Sequence, residues 1–145
     1  MARFQCFRVE QQQVRWRLLG GNNRVLGVSA EPLRDHAAAI DEVDLVRKRI
    51  EDGEFALEHL HGGLWLWRMS VDDVEIALAA HGFARRVDAI LSGRRFRQRV
   101  PAADTDLTLV VFQPGRRGRE VPFDEESTHL PAAEAAVMRP QRPIG

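Results

Sequence analysis

The chain has 145 residues, 44% of them apolar and 29% charged, which is enough to build a real core and excludes a wholly disordered polymer. Arginine plus lysine and aspartate plus glutamate balance at 21 each, so no net field draws the protein toward polyanions or membranes, and any nucleic-acid reading must rest on local clusters. The single cysteine, Cys6, excludes an internal disulfide, and no stretch reaches the roughly 18 apolar residues that span a bilayer.

Taken in chain order, Phe4 to Val9 is a short, aromatic-led strand. In the next strand Val14, Trp16 and Leu18 alternate with Arg15 and Arg17, giving one apolar face and one guanidinium face. Gly20-Gly21-Asn22-Asn23 is a turn, because glycine and asparagine tolerate positive φ, and Val25 to Val28 is a third strand. The period then lengthens to 3.6: Leu33, Ala37, Ile40, Val43 and Ile50 form one helical stripe, with Pro32 in the first turn and Ser29 as a cap slightly upstream.

The same order then repeats. A shift of 51 residues places Phe4 on Phe55, Trp16-Arg17 on Trp67-Arg68 and Val25 on Ile76. After a one-residue deletion a shift of 50 places Leu33 on Phe83, Ala39-Ile40 on Ala89-Ile90, Val46-Arg47 on Phe96-Arg97 and Arg49-Ile50 on Arg99-Val100. The second copy has strands from Phe55 to Leu60 and through Trp65, Trp67 and Met69, a turn at Gly62-Gly63, and a helix carrying Phe83, Val87, Ile90 and Phe96. Gly93 stands where the first copy has Val43 and weakens that helix by about 1 kcal/mol relative to alanine.

The expected fold is therefore α+β, with two tandem strand-strand-strand-helix repeats over residues 1–52 and 53–102, each an antiparallel sheet covered by a helix. Units of this size are marginal alone, so the copies should stabilise each other by sharing sheet edges or helix contacts. The remainder, residues 103–145, contains one more strand from Asp106 to Phe112, suited to covering a sheet edge. It then becomes an extended tail broken by Pro114, Pro122, Pro131, Pro140 and Pro143, with a brief helix over 131–138.

The run Trp16-Arg17-Leu18, Asn22-Asn23-Arg24-Val25-Leu26-Gly27-Val28-Ser29 and a helix with Ile40, Val43, Val46 and Arg47 resembles the YegP-like family, the domain of unknown function 1508. The resemblance covers both copies and implies small proteins of one or two strand-strand-strand-helix repeats, with no established catalytic residues. It also implies that a tandem acts as a pseudo-dimer, since single-repeat members pair. The family's Asn-Gly turn is replaced by Asn22-Asn23 and by Asp72-Asp73, its serine survives as Ser29 but becomes Ala80, and its tyrosine before the helix is Leu33 or Phe83.

Candidate chemistry is sparse. His59 and His61 lie two apart on an expected strand, half of a metal site without a third ligand, and Asp72-Asp73 with Glu75 reads as a solvated turn. Ser127, His129 and Asp124-Glu125-Glu126 have triad-type groups but sit in the proline-rich tail, and no nucleotide fingerprint or nucleophile elbow occurs. No cofactor, metal or catalytic residue is assigned, and Cys6 reads as a small buried hydrophobe. The arginines remain. Arg15, Arg17 and Arg68 on strands, and Arg94, Arg95, Arg97 and Arg99 at the end of the second helix, are candidates for gripping nucleic acid. Arg47, Lys48 and Arg49 echo that cluster in the first copy, and Arg116, Arg117 and Arg119 follow the extra strand. Zero net charge favours a structural use of these groups, at helix C-termini and in cross-strand pairs. The expectation is a cytoplasmic, non-enzymatic interaction or structural protein whose paired repeats form a platform and whose tail over 114–145 reaches a protein partner or a neighbouring subunit of a homo-oligomer, with no membrane association, and a nucleic-acid-binding module as the alternative.

Overall fold

A computed structural model describes residues 1–112. The Arg116, Arg117 and Arg119 cluster, the Ser127 and His129 group and the helix expected over 131–138 lie outside the described residues. The elements are β1 (Arg3–Arg8), β2 (Val14–Leu19), β3 (Val25–Ser29), α1 (His36–Arg49), β4 (Glu54–His59), β5 (Trp65–Val71), β6 (Val74–Leu78), α2 (Arg86–Arg99) and β7 (Asp104–Val110). The α+β class and the two strand-strand-strand-helix units are those the repeat predicts.

Their sheets, however, are one. The strand order is β4-β5-β6-β3-β2-β1-β7, joined in the middle by antiparallel pairing of β3 with β6. Val28 lies opposite Leu78, and these two residues are each other's counterparts at a shift of 50, so a local two-fold passes through their pair. The reason is elementary: each repeat alone would leave an unpaired edge there, and each completes the other's ladder. The extra strand begins at Asp104, two residues earlier than expected, and runs parallel to β1 with Phe4 opposite Thr105. It covers the sheet edge at β1.

The one-residue deletion lies in the β2–β3 turn. Leu19 pairs with Val25 and Ser70 pairs with Glu75, so Val25 corresponds to Glu75 rather than to Ile76. The shorter connection, Asp72-Asp73, has φ of 52° and 66° at its two central residues, the left-handed turn that matches the twist of flanking strands.

Both helices start later than the stripe suggests. The α1 N-cap is Asp35, whose carboxylate accepts from the Ala38 N–H at 2.9 Å, and the residues buried on α1 are Ala39, Val43 and Val46. Ser29 does not cap the helix: it ends β3, fully buried, and its hydroxyl accepts from the Trp16 backbone N–H at 3.3 Å. Leu33 and Phe83 precede the helices and bridge Val14 and Trp65 in extended backbone. Val87 is consequently 47% exposed, and the buried positions of α2 are Ala89, Gly93 and Phe96. Arg85 occupies the N-cap of α2 with extended backbone and no side-chain cap bond. Arg85→Ser supplies the missing acceptor and is expected to raise stability by about 0.5–1 kcal/mol, read as a higher urea midpoint at unchanged slope.

The helices cover one face of the sheet, and the core lies between them and β1, β2, β4 and β5. Trp16, Trp67, Phe4, Phe96, Leu18 and Met69 are all buried there. Phe96 stands between the halves, with its ring 6.4 Å from Trp16 and 4.9 Å from Trp67. Among the described residues no helix is long and apolar enough to cross a membrane.

Candidate functional site

The strand arginines sit on the face of the sheet away from the helices, since their neighbours Trp16, Leu18 and Trp67 occupy the helix side. There they are engaged with the sheet itself. Arg68 is paired with Glu58 and with Glu75, one from each flanking strand, and its side chain is only 14% exposed. Arg17 is buried; its Nε and Nη2 donate to Gln5 Oε1 at 2.9 and 2.7 Å, and its guanidinium lies 5.2 Å from the centre of the Phe7 ring. Arg15 donates to the carbonyl and hydroxyl oxygens of Ser29. The helix-end residues Arg94, Arg95 and Arg99 are exposed. Arg97 is half-buried, and the structure separates it from the other three in role.

The two copies present the same local unit at opposite ends of the sheet. In the first, the Arg47 guanidinium stacks 5.3 Å above the Phe4 ring, and Phe4 packs edge-on against Trp16 at 5.5 Å. In the second, Arg97 stacks 5.7 Å above Phe55, and Phe55 lies 5.5 Å from Trp67. The surroundings then diverge. Arg47 donates to the Ala103 carbonyl and the Thr105 hydroxyl, so it clasps β7 onto the edge at β1. Arg97 donates to the Glu51 carbonyl at 3.2 Å, and β4, like β7 at the other end, is an edge strand of the sheet among the described residues. Where Val43 fills the core of the first copy, the second has Gly93, on which an added Cβ would come 3.2 Å from Trp67 Cγ and 3.4 Å from Phe55 Cδ2. Glycine therefore lets the helix approach the tryptophan closely. Beside it a cleft of about 330 Å³ lies between α2 and β4, walled by Phe55, Leu57, Trp67 and Gly93 and rimmed by Arg94 and Arg97. Phe4 and Cys6, the counterparts of Phe55 and Leu57, are fully buried, whereas Phe55 and Leu57 are only half-buried.

Alignment of the two copies puts Phe4 on Phe55 and Arg47 on Arg97, so the repeated arginine-aromatic stack was encoded in matches visible to the eye. The cleft was not, because it depends on which edge β7 chooses.

The tryptophan N–H groups differ in a parallel way. Trp16 Nε1 donates to Glu42 Oε1 at 2.7 Å, and Trp67 Nε1 donates to Ser92 Oγ at 2.9 Å, residues at the same place in the two helices. Burial pushes the Glu42 carboxyl above its ordinary value; the Trp16 hydrogen bond opposes this and the charge of Glu31 adds to it. Folded Glu42 thus holds its proton to higher pH than unfolded Glu42. Its contribution to stability is fully present below the ordinary carboxylate pKa and is lost as pH rises through the raised folded value. Glu42→Gln retains the acceptor and is expected to stabilise the protein at neutral pH and to flatten that part of the stability profile, measured by urea unfolding between pH 4 and pH 7.

The remaining candidates separate. His59 ends β4 and stacks 4.1 Å from the Trp65 ring, but His61 falls in the following turn, so the two do not share a strand face as expected. Among the described residues no group of three histidine, cysteine or acidic side chains gathers as metal ligands would. The Cys6 thiol is fully buried, and burial together with the nearby Asp106 charge pushes its pKa to about 11, which leaves almost no thiolate at neutral pH.

No family model and no curated protein matches the chain. Two solved structures do. The solution structure of the protein of unknown function yegP from E. coli superimposes with a TM-score of 0.64 at 13% identity, covering 77% of this chain and 95% of that one. A UPF0339 protein from Shewanella oneidensis superimposes with a TM-score of 0.63 at 10% identity, covering 79% and 95%. The fold implied by the resemblance to the YegP-like family is thus the fold observed. At these identities the likeness speaks to architecture alone.

Proposed function

We propose that the chain is a protein-interaction platform rather than an enzyme, and that β4 and the cleft beneath it are its docking edge. The observation that carries this reading is the inequality of the two repeats' first strands: among the described residues β1 is covered by β7, while β4 lies at a sheet edge beside an aromatic cleft. An edge strand offers a row of backbone donors and acceptors for strand addition, and aromatic side chains with arginine are the residues that interfaces favour. The chain's rigid sheet holds that edge in place, as the two repeats are hydrogen-bonded through β3 and β6. A share in docking for residues 114–145 was the expectation from sequence, and those residues lie outside the described part.

The alternative, a nucleic-acid-binding module, has narrower support than the sequence predicts. Arg15, Arg17 and Arg68 are engaged within the sheet, so of the seven arginines nominated from sequence only Arg94, Arg95 and Arg99 are exposed.

A photo-crosslinking residue in place of Ala56, on the open edge, tests the platform reading when the full chain is expressed in its native cells. Specific adducts are expected from position 56, fewer from the same residue at Asn22 on a distant turn, and a loss of the position-56 adducts with Gly93→Val, whose side chain crowds the Trp67 and Phe55 rings that wall the cleft. Equal adducts at 56 and 22, or none, would sink it.

A further inference from the structure

Resting on that reading, we infer what the β4 edge takes: an extended segment of another protein, parallel to β4, with a carboxylate side chain held by Arg97 and Arg94 and an apolar side chain four residues on, past a bulge, in the cleft. The chain itself supplies the template. β7 lies parallel to β1 with Thr105 opposite Phe4, and the Thr105 hydroxyl accepts from the arginine stacked on that phenylalanine. Carried to the second copy by the repeat, the same place on an added strand lies opposite Phe55, under Arg97. The direction of the added strand follows from β7, which is parallel, and its register from the shared phenylalanine.

The chemistry of the anchor does not carry over unchanged, and the difference is informative. Asp44, one turn before Arg47, is replaced in the second copy by Arg94, which rims the cleft together with Arg97. A hydroxyl suffices where one guanidinium has an acidic neighbour; two guanidinium groups call for a carboxylate, which accepts charge-assisted bonds from both. On the opposite face of the strand the charge also inverts. Asp104 lies opposite Arg3 in the first copy, and the counterpart of Arg3 is Glu54. The residue preceding the carboxylate in the partner should therefore be basic. Further along, past a two-residue bulge in β7, the helix-side position opposite Cys6 is taken by Leu109, four residues after Thr105, and its counterpart opposite Leu57 faces the 330 Å³ cleft, a volume at the lower end of ligand pockets and roomy enough for a whole apolar side chain. The recognised pattern is basic, acidic, any three residues, apolar, in extended backbone with a bulge before the apolar residue.

The probe is a capped peptide copying residues 102–111 with Asp104→Lys and Thr105→Glu, titrated into the full chain and followed by amide NMR shifts. The expected result is saturable shifts confined to β4 and the first-turn side of the cleft, with affinity falling about tenfold for Arg97→Gln, for Arg94→Gln, and for the peptide carrying glutamine in place of its glutamate. Arg97→Lys retains a charge and guards against a folding artefact; it should lose less than Arg97→Gln while melting at the same temperature. A spin label at the peptide N-terminus should broaden the Glu54 end of the strand. Binding elsewhere, broadening at the His59 end, indifference to the glutamate, or concentration-dependent self-pairing of β4 that excludes the peptide would each overturn the inference. Absence of peptide binding with position-56 adducts intact refutes this partner chemistry and spares the platform; absence of both refutes the two together.

Discussion

Replacing Phe96 by alanine is expected to cost about 3–5 kcal/mol. The side chain is fully buried, and its ring meets Trp16 of the first repeat in a near-parallel stack, 19° between planes, and Trp67 of the second at 41°. It is therefore one of the few groups whose removal opens a cavity shared by both halves. Against a total stability of about 5–15 kcal/mol such a loss leaves little margin. Urea unfolding followed by tryptophan fluorescence should show one transition at a much lower midpoint, since both indoles report on the same cavity. The counterpart in the first helix is Val46, also fully buried, and Val46→Ala removes a smaller side chain that bridges nothing, so a loss of roughly 2 kcal/mol is expected there. Two separate transitions for Phe96→Ala, one per repeat, would show that the halves do not share a core.

Gly27→Ala is expected to cost about 2–3 kcal/mol by the opposite mechanism, overfilling. A Cβ at that position would stand 2.6 and 2.7 Å from Phe96 Cδ1 and Cε1 and 3.0 Å from Trp67 Cη2. Neither ring has a loose end to move, because each packs against the other. The glycine belongs to β3 at the middle of the sheet, and its role is space, since its backbone is ordinary extended strand. The same substitution in the Phe96→Ala background should cost little or even restore stability, as the added methyl then fills part of the void. A double-mutant cycle by urea unfolding would read a coupling of more than 1 kcal/mol. Additive effects would mean that Gly27 is required for some reason other than the approach of Phe96.

Much of this architecture was legible in the residues. The repeat showed itself through Trp16-Arg17 and Trp67-Arg68, and the change of period from two to 3.6 separated strands from helices. Both helices start a few residues later than their apolar stripes predict, because Leu33 and Phe83 continue an apolar pattern that they satisfy as strand-bridging residues before the helix begins. Asp35, a good N-cap beside Ala38, was the local signal for the true start. Serine is common at helix caps, but the Ser29 hydroxyl is committed to the Trp16 N–H inside the sheet. Gly93 was legible as a helix-weakening residue, and its second consequence, an aromatic cleft, needed the neighbouring strand to be in place.

The arginines show most clearly where sequence stops. Alternation alone put Arg15, Arg17 and Arg68 on the face opposite the tryptophans, and that placement holds. Their partners, Ser29, Gln5, Glu58 and Glu75, come from other strands, and pairing register decides which of them lie within reach. Arg47 and Arg97 are the same residue in the repeat and stack on the same phenylalanine, yet one fastens a strand and the other rims an open cleft. By itself the sequence determined the elements, their duplication and the apolar faces, because these follow from local periodicity and turn chemistry. Only the tertiary structure decided that β3 would join β6, that β7 would cover β1, and that among the described residues β4 would lie at an edge, because a strand's backbone groups are equally ready on both sides until long-range contacts choose a neighbour.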